Sequence, residues 1–212
     1  MKPDSRLPRA CSASLFGVCL LFAAAPITLA AEVASHSNES DAHHQSVAHA
    51  TRTLAQYTIP DLRVIREDGK QMTLAEAIGQ HEPVVVDFVY TTCTTICPLA
   101  SQTFAQLQQM LGAEAAHVNF VSISIDPEQD TPKRLSAYAE KYGAGPQWHL
   151  YTATVQASVT AQRAFNVYRG DKMSHSPITL IRATPDKPWV RFDGFVTADE
   201  LLAELRTQVA AK

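Results

Sequence analysis

The chain has 212 residues, 46% of them hydrophobic and 18% charged, close to globular averages, so one domain with appendages is the expected organisation. Its formal net charge is -3, and no cluster of Lys or Arg is dense enough to follow a phosphate backbone. A nucleic-acid binder and polyanionic partners are thereby excluded.

Residues 1–31 read as an export signal. Lys2, Arg6 and Arg9 precede the uncharged stretch "CSASLFGVCLLFAAAPITLA", which ends in small residues suited to cleavage near Ala30 or Ala31. The alternative is an uncleaved N-terminal anchor, because the stretch approaches the ~20 apolar residues that span a bilayer, although Pro26 and the alanines weaken it. Either way the domain is expected outside the cytosol, periplasmic or anchored in the inner membrane facing the periplasm. Cys11 and Cys19 read as ordinary members of the leader, since Val18 precedes Cys19 where a lipidation site wants a small residue. Cleavage at Ala30 removes three basic residues and Asp4, takes the formal charge from -3 to -5 and leaves Cys93 and Cys97 as the only cysteines. In an oxidising compartment such a pair is either a disulfide or is protected by a metal or a reductant.

Residues 32–55 are polar, rich in alanine and without hydrophobic periodicity, and read as a disordered linker. His36, His43, His44 and His49 fall within it, so a metal-gathering arm and a solvated tether are both open readings.

The folded domain is expected over 56–212. "YTIPDLRVIREDGKQMTLAEAI" predicts a hairpin with an Asp68-Gly69 turn, then a helical turn. "EPVVVDFVY" is a continuous β-branched run, as a buried central strand would be. "LASQTFAQLQQML" places Leu99, Phe104, Leu107 and Leu111 at roughly helical spacing and stops at Gly112. "HVNFVSISID" is a second buried strand. In "DTPKRLSAYAEKYG", Thr131 caps, Pro132 takes the first helical position and Gly143 ends the helix. "QWHLYTA" predicts a strand, "TVQASVTAQRAFNVY" a helix, "PITLIRA" and "PWVRFDGF" strands, and "TADELLAELRTQVA" a helix capped by Thr197 with Glu200 three residues on. Alternating strands and helices, a late hairpin and a last helix predict an α/β sandwich around a mixed sheet.

Cys93 and Cys97 stand where the central strand gives way to a helix. A helix N-terminus favours thiolate over thiol and can pull a cysteine well below its free value of about 8.5. Pro98, with no amide hydrogen, suits the first turn. Disulfide exchange and metal ligation both use thiolate, so local chemistry alone leaves both open. The domain has no second cysteine pair for a structural zinc site, whereas two thiolates and one imidazole suit a soft ion such as Cu(I). His81, His117, His149 and His175 compete as the third ligand, and His175 immediately precedes a late strand whose loop, in a fold of this plan, lies beside the dithiol.

The runs "FVYTTCTTICP" and "VSISIDPEQDTPKRLSAYAEKYG", with "HS" before a strand, resemble the Sco/SenC family of exported thioredoxin-fold copper proteins, from about Tyr57 to Arg206. The resemblance implies a thioredoxin-like sandwich, a central mixed β-sheet flanked by helices, with an N-terminal hairpin extension. It implies copper on Cys93, Cys97 and His175, a redox-active Cys93-Cys97 pair, and assistance in building the copper centre of cytochrome c oxidase. The expected partner is a copper-accepting subunit of a terminal oxidase or another periplasmic copper or thiol protein, and the chain is expected to act as a monomer, with the membrane reached only through an uncleaved N-terminus. The alternative is a thiol-disulfide oxidoreductase using the same two cysteines. A purely structural disulfide is disfavoured, because so short a loop constrains little unfolded-chain entropy.

Three positions depart from the family pattern. Thr94 follows the first cysteine where proline is usual, and only "RGDKMS" separates Tyr168 from His175 where the family carries a longer excursion. Pro177 resembles the proline that faces the dithiol in thioredoxins, which adds weight to thiol-disulfide exchange. Asp126 and Asp130 resemble acidic positions of the family, with capping of the following helix as the structural reading. Met173 is expected to pack in its loop, with thioether ligation as the alternative. Trp148 and Trp189 are assigned to core or groove walls.

Overall fold

The computed structural model describes residues 50–79 and 83–210. The leader with Cys11 and Cys19, the four linker histidines and His81 lie outside the described residues. In chain order the first elements are β1 (Thr51–Ala55), β2 (Arg63–Arg66), β3 (Gln71–Thr73), α1 (Leu74–Ile78), β4 (Val84–Val89) and α2 (Ile96–Leu111). There follow β5 (Asn119–Ser124), α3 (Pro132–Tyr142), β6 (Trp148–Thr152), α4 (Val155–Ala164), β7 (Ile178–Arg182), β8 (Trp189–Asp193) and α5 (Ala198–Ala210).

The strands form one mixed sheet in the order β1-β8-β7-β4-β5-β6-β2-β3. Parallel pairs β4/β5 and β5/β6 make its centre, and the remaining pairs are antiparallel. All six residues of β4 are buried because both faces are covered. Val84, Val86 and Phe88 pack with Phe165, Leu180 and Trp189, while Val85 packs with Phe104, Leu107, Leu135 and Leu201 of the helices on the other face. The sandwich with a hairpin, β2-β3, at its edge is the expected architecture. No helix among the described residues is long and apolar enough to cross a membrane.

The helix signals act as read. Thr131 accepts the Arg134 amide, Pro132 opens α3, and Gly143 ends it in the left-handed region at φ 66°. Thr197 and Glu200 close a reciprocal cap on α5 through bonds of 2.8 and 3.2 Å. Two expectations change. The linker read through residue 55 ends earlier, because Thr51–Ala55 is an edge strand paired with β8. Its exposed side chains carry no periodic signal, and it is held by backbone bonds and by Arg52, whose Nε lies 2.8 Å from Glu204 Oε2. On α2, Leu99 faces solvent at 50% exposure, and the buried stripe is instead Cys97, Ser101, Phe104, Leu107 and Leu111. Leu99 lies two positions, about 200° of helical turn, from Cys97.

Candidate metal centre and dithiol

Strand β4 delivers the chain to a short loop, Tyr90 to Thr95, that carries Cys93 and enters α2, whose first turn holds Cys97. Thr95, at the N-cap, makes no side-chain capping bond. A sulfur takes that place: the Cys97 amide donates to Cys93 Sγ at 3.4 Å. Burial raises the Cys93 thiol, but the amides of Cys97 and Thr95 outweigh it and bring Cys93 down to about 7. Cys97, more deeply buried, is pushed well up by desolvation, with the Cys93 charge adding to it. The thiolate effect expected of the helix N-terminus therefore falls on Cys93 alone. Both cysteines are free thiols.

His175 follows a single 3-10 turn, Lys172–Ser174, and precedes β7. Its Nε2 lies 3.0 Å from the Phe88 carbonyl oxygen. A carbonyl only accepts, so Nε2 carries the proton and Nδ1 keeps the lone pair. Burial lowers the pKa of this imidazole, against the pull of the Phe88 bond, and favours the neutral ring that metals bind. Cys97, His175, Pro177 and Asp87 border one crevice of about 10 Å³. The outer side of His175 borders a larger cavity of about 420 Å³ between the 125–128 turn, α4 and the histidine loop.

The expected residues thus meet in two overlapping pairs, Cys93 with Cys97 and Cys97 with His175. Among the described residues no three His, Cys, Asp or Glu side chains stand close enough together to hold one metal ion. The competing histidines are elsewhere: His149, on β6, bonds Glu67, just past β2, at 2.9 Å, and His117 is exposed before β5. Pro177 faces the crevice as expected.

Asp126 and Asp130 do not cap α3, a task Thr131 performs. Asp130, fully buried, accepts from the Thr91 amide and hydroxyl and from Ser124, and so fastens the cysteine loop to β5. Asp126 pairs with Lys172 at 2.5 Å and fastens the histidine loop to the same turn. Met173 does not pack, being 73% exposed. Trp148 and Trp189 are core residues.

Sequence reasoning passed over Asp87, Tyr90 and Lys172. Asp87 is 1% exposed and neither carboxylate oxygen has a hydrogen-bond partner, although the nearby Ser122 hydroxyl offsets a little of the desolvation that raises it to about 7. One acid inside "VVVDFV" was the available signal. Tyr90 and Lys172 had none, since their roles depend on the loop meeting β4.

The chain is similar to the SCO1 protein homolog of Bacillus subtilis (strain 168), at 34% identity over 104 residues, 49% of this chain and 53% of that protein. Among solved structures it is similar to BsSco, described as a member of the Sco family of cytochrome c oxidase assembly proteins with a disulfide switch, at 25% identity and TM-score 0.62 over 76% of this chain and 99% of that one. It is also similar to Arabidopsis thaliana ScoI with copper bound, at 23% identity and TM-score 0.61 over 73% of this chain and all (100%) of that one, a likeness of fold. The chain spans about half the length of the curated Bacillus relative it matches. The SCO1/SenC family model matches residues 50–210, nearly all of the described chain, and the protein belongs to the SCO1/SenC family.

Proposed function

We propose that the protein is an exported copper metallochaperone that holds one Cu(I) ion through Cys93, Cys97 and His175 and serves assembly of the copper centre of cytochrome c oxidase. The observation that carries this reading is the fixed tautomer of His175: its proton is given to Phe88 and its lone pair is free on Nδ1, beside a crevice shared with Cys97. Cys93 supplies a thiolate near neutral pH, and ligation would deprotonate Cys97. Since the three side chains do not yet enclose one ion, capture draws the histidine loop onto the dithiol. Release is ligand exchange with the thiolates of a copper-accepting oxidase subunit or another periplasmic copper protein. Family membership and the copper-bound relative support copper as cargo.

The test is anaerobic Cu(I) titration of the reduced protein against a competing chelator, beside His175→Ala. Tight one-to-one binding, weakened roughly a hundredfold in the variant, is expected, since losing a ligand costs no less than losing the group that orients one. Equal affinity in the two proteins would refute the ligand set.

A second reading is favoured by the asymmetry of the thiols. The Cys93 thiolate attacks a partner disulfide, forming a mixed disulfide and releasing one partner thiolate. Cys97 then displaces the second partner sulfur, leaving a Cys93-Cys97 disulfide and a reduced partner, two electrons having passed. This exchange predicts no dependence on His175 and trapped mixed disulfides in Cys97→Ser.

A further inference from the structure

All three proposed ligands are buried, with Cys93 7%, Cys97 1% and His175 9% exposed. A copper complex arriving from solvent therefore meets other side chains first. The soft donor at that threshold is Met173, 73% exposed in the turn two residues before His175.

Met173 is held in place although it is not packed. Asp171 Oδ1 accepts its amide at 2.9 Å, and Lys172, its neighbour, is paired with Asp126. The Lys172 Nζ also stands 5.7 Å from the centroid of the Tyr90 ring. From that ring the hydroxyl donates to Met173 Sδ at 3.9 Å. Tyr90 is also tied to Cys93, whose amide donates to the Tyr90 carbonyl oxygen at 3.1 Å, and the Tyr90 hydroxyl favours the Cys93 thiolate. One phenol thus stands between a thioether in solvent and a buried thiol.

We propose that Met173 is a transient Cu(I) ligand that takes the ion from a solvent-borne complex and passes it inward to Cys93. The proposal rests on the copper-binding reading above. Thioether sulfur is a neutral, soft donor that selects Cu(I) and gives it up readily to thiolate. The transfer is ligand exchange: a bond from copper to the delivering ligand breaks as one to Met173 Sδ forms, and that bond breaks as copper joins the Cys93 thiolate. Copper remains Cu(I) throughout, and no electron moves. Such a ligand alters the rate of capture and release, not the strength of the final site.

The experiment is stopped-flow transfer of Cu(I) from its bicinchoninate complex to the reduced protein, in wild type and Met173→Leu. Because the side chain is exposed, the leucine variant keeps the fold. Capture about tenfold slower, with equilibrium affinity within about twofold, is the expected result. Wild-type capture rates in a variant of wild-type affinity would overturn the proposal while leaving the metallochaperone reading intact. An affinity that falls as far as the rate would make Met173 a resident ligand and overturn its transient role. A wild type that binds no Cu(I) would overturn both. A second readout is the ε-methyl resonance of each methionine at sub-stoichiometric Cu(I). Met173 should shift or broaden and Met110, 40% exposed and far along α2, should not. Equal responses from the two would also overturn the proposal.

Discussion

Asp130 Oδ1 accepts both the amide of Thr91, at 3.1 Å, and its hydroxyl, at 2.5 Å, two residues before Cys93. Its other oxygen takes the Ser124 hydroxyl at 2.6 Å from the end of β5. A single buried carboxylate therefore fixes the cysteine loop to the sheet. Asp130→Ala leaves three donors without a partner and should cost about 2–4 kcal/mol. A thermal melt should show Tm lower by roughly 5–15 °C for a domain of this size, with Asp130→Asn intermediate because it keeps one acceptor oxygen. An unchanged Tm in the alanine variant would remove Asp130 from this role.

The two thiols should be chemically distinct. Cys93 is lowered to about 7 by amide donors while burial raises Cys97. Alkylation by iodoacetamide, read by peptide mass, should modify Cys93 first, with a rate that rises with pH, passes its midpoint near 7 and levels off above that. Cys97 should react only after unfolding. Equal labelling of the two, or a rate still climbing at pH 9, would contradict the arrangement at the α2 terminus.

The features legible in the sequence are those whose signal is local. Thr131, Pro132 and Gly143 specify both ends of α3 within thirteen residues, and the unbroken run of β4 announces a strand covered on both faces. The edge strand β1 was illegible because its stability lies in pairing with β8, some 140 residues away, while its own side chains face solvent. Leu99 misled for the converse reason, since an apolar residue at approximate helical spacing need not lie on the buried stripe, which Cys97 and Ser101 begin. The cysteines and His175 could be named as candidates from position. The ties that hold them, Asp130 to Thr91 and Asp126 to Lys172, cross 39 and 46 residues and follow no spacing rule.

The Lys172-Asp126 pair should behave as a partly buried bridge. Asp126 is nearly covered and Lys172 about one-third exposed, so removing the lysine alone strands a buried charge. Lys172→Met should destabilise by about 1–2 kcal/mol, and adding Asp126→Asn should recover part of that loss, giving a non-additive double-mutant cycle. The loss should shrink in 1 M salt only slightly, because the carboxylate side of the pair is shielded from solvent. Additive single effects in chemical denaturation would reduce the pair to a surface contact.

Asp87 offers the clearest pH signature. Its carboxyl has no hydrogen-bond partner and is raised by burial to about 7, from an ordinary value of about 3.8. The folded state thus binds a proton that the unfolded chain has already released between those two values. The Asp87 contribution to stability therefore falls as pH rises from about 4 to about 7, and stays reduced above that. Asn at this position keeps the shape and the buried polar atoms but never ionises. Asp87→Asn should match wild type near pH 4 and exceed it at pH 8 by a few kcal/mol, roughly 5–10 °C in Tm. The discriminating measurement is the difference in Tm between the two proteins across that range. A constant difference at every pH would mean that the Asp87 charge is stabilised by a partner the fold does not reveal, while a difference that opens with its midpoint between pH 5 and 7 would identify the buried acid beside Cys97 as its source.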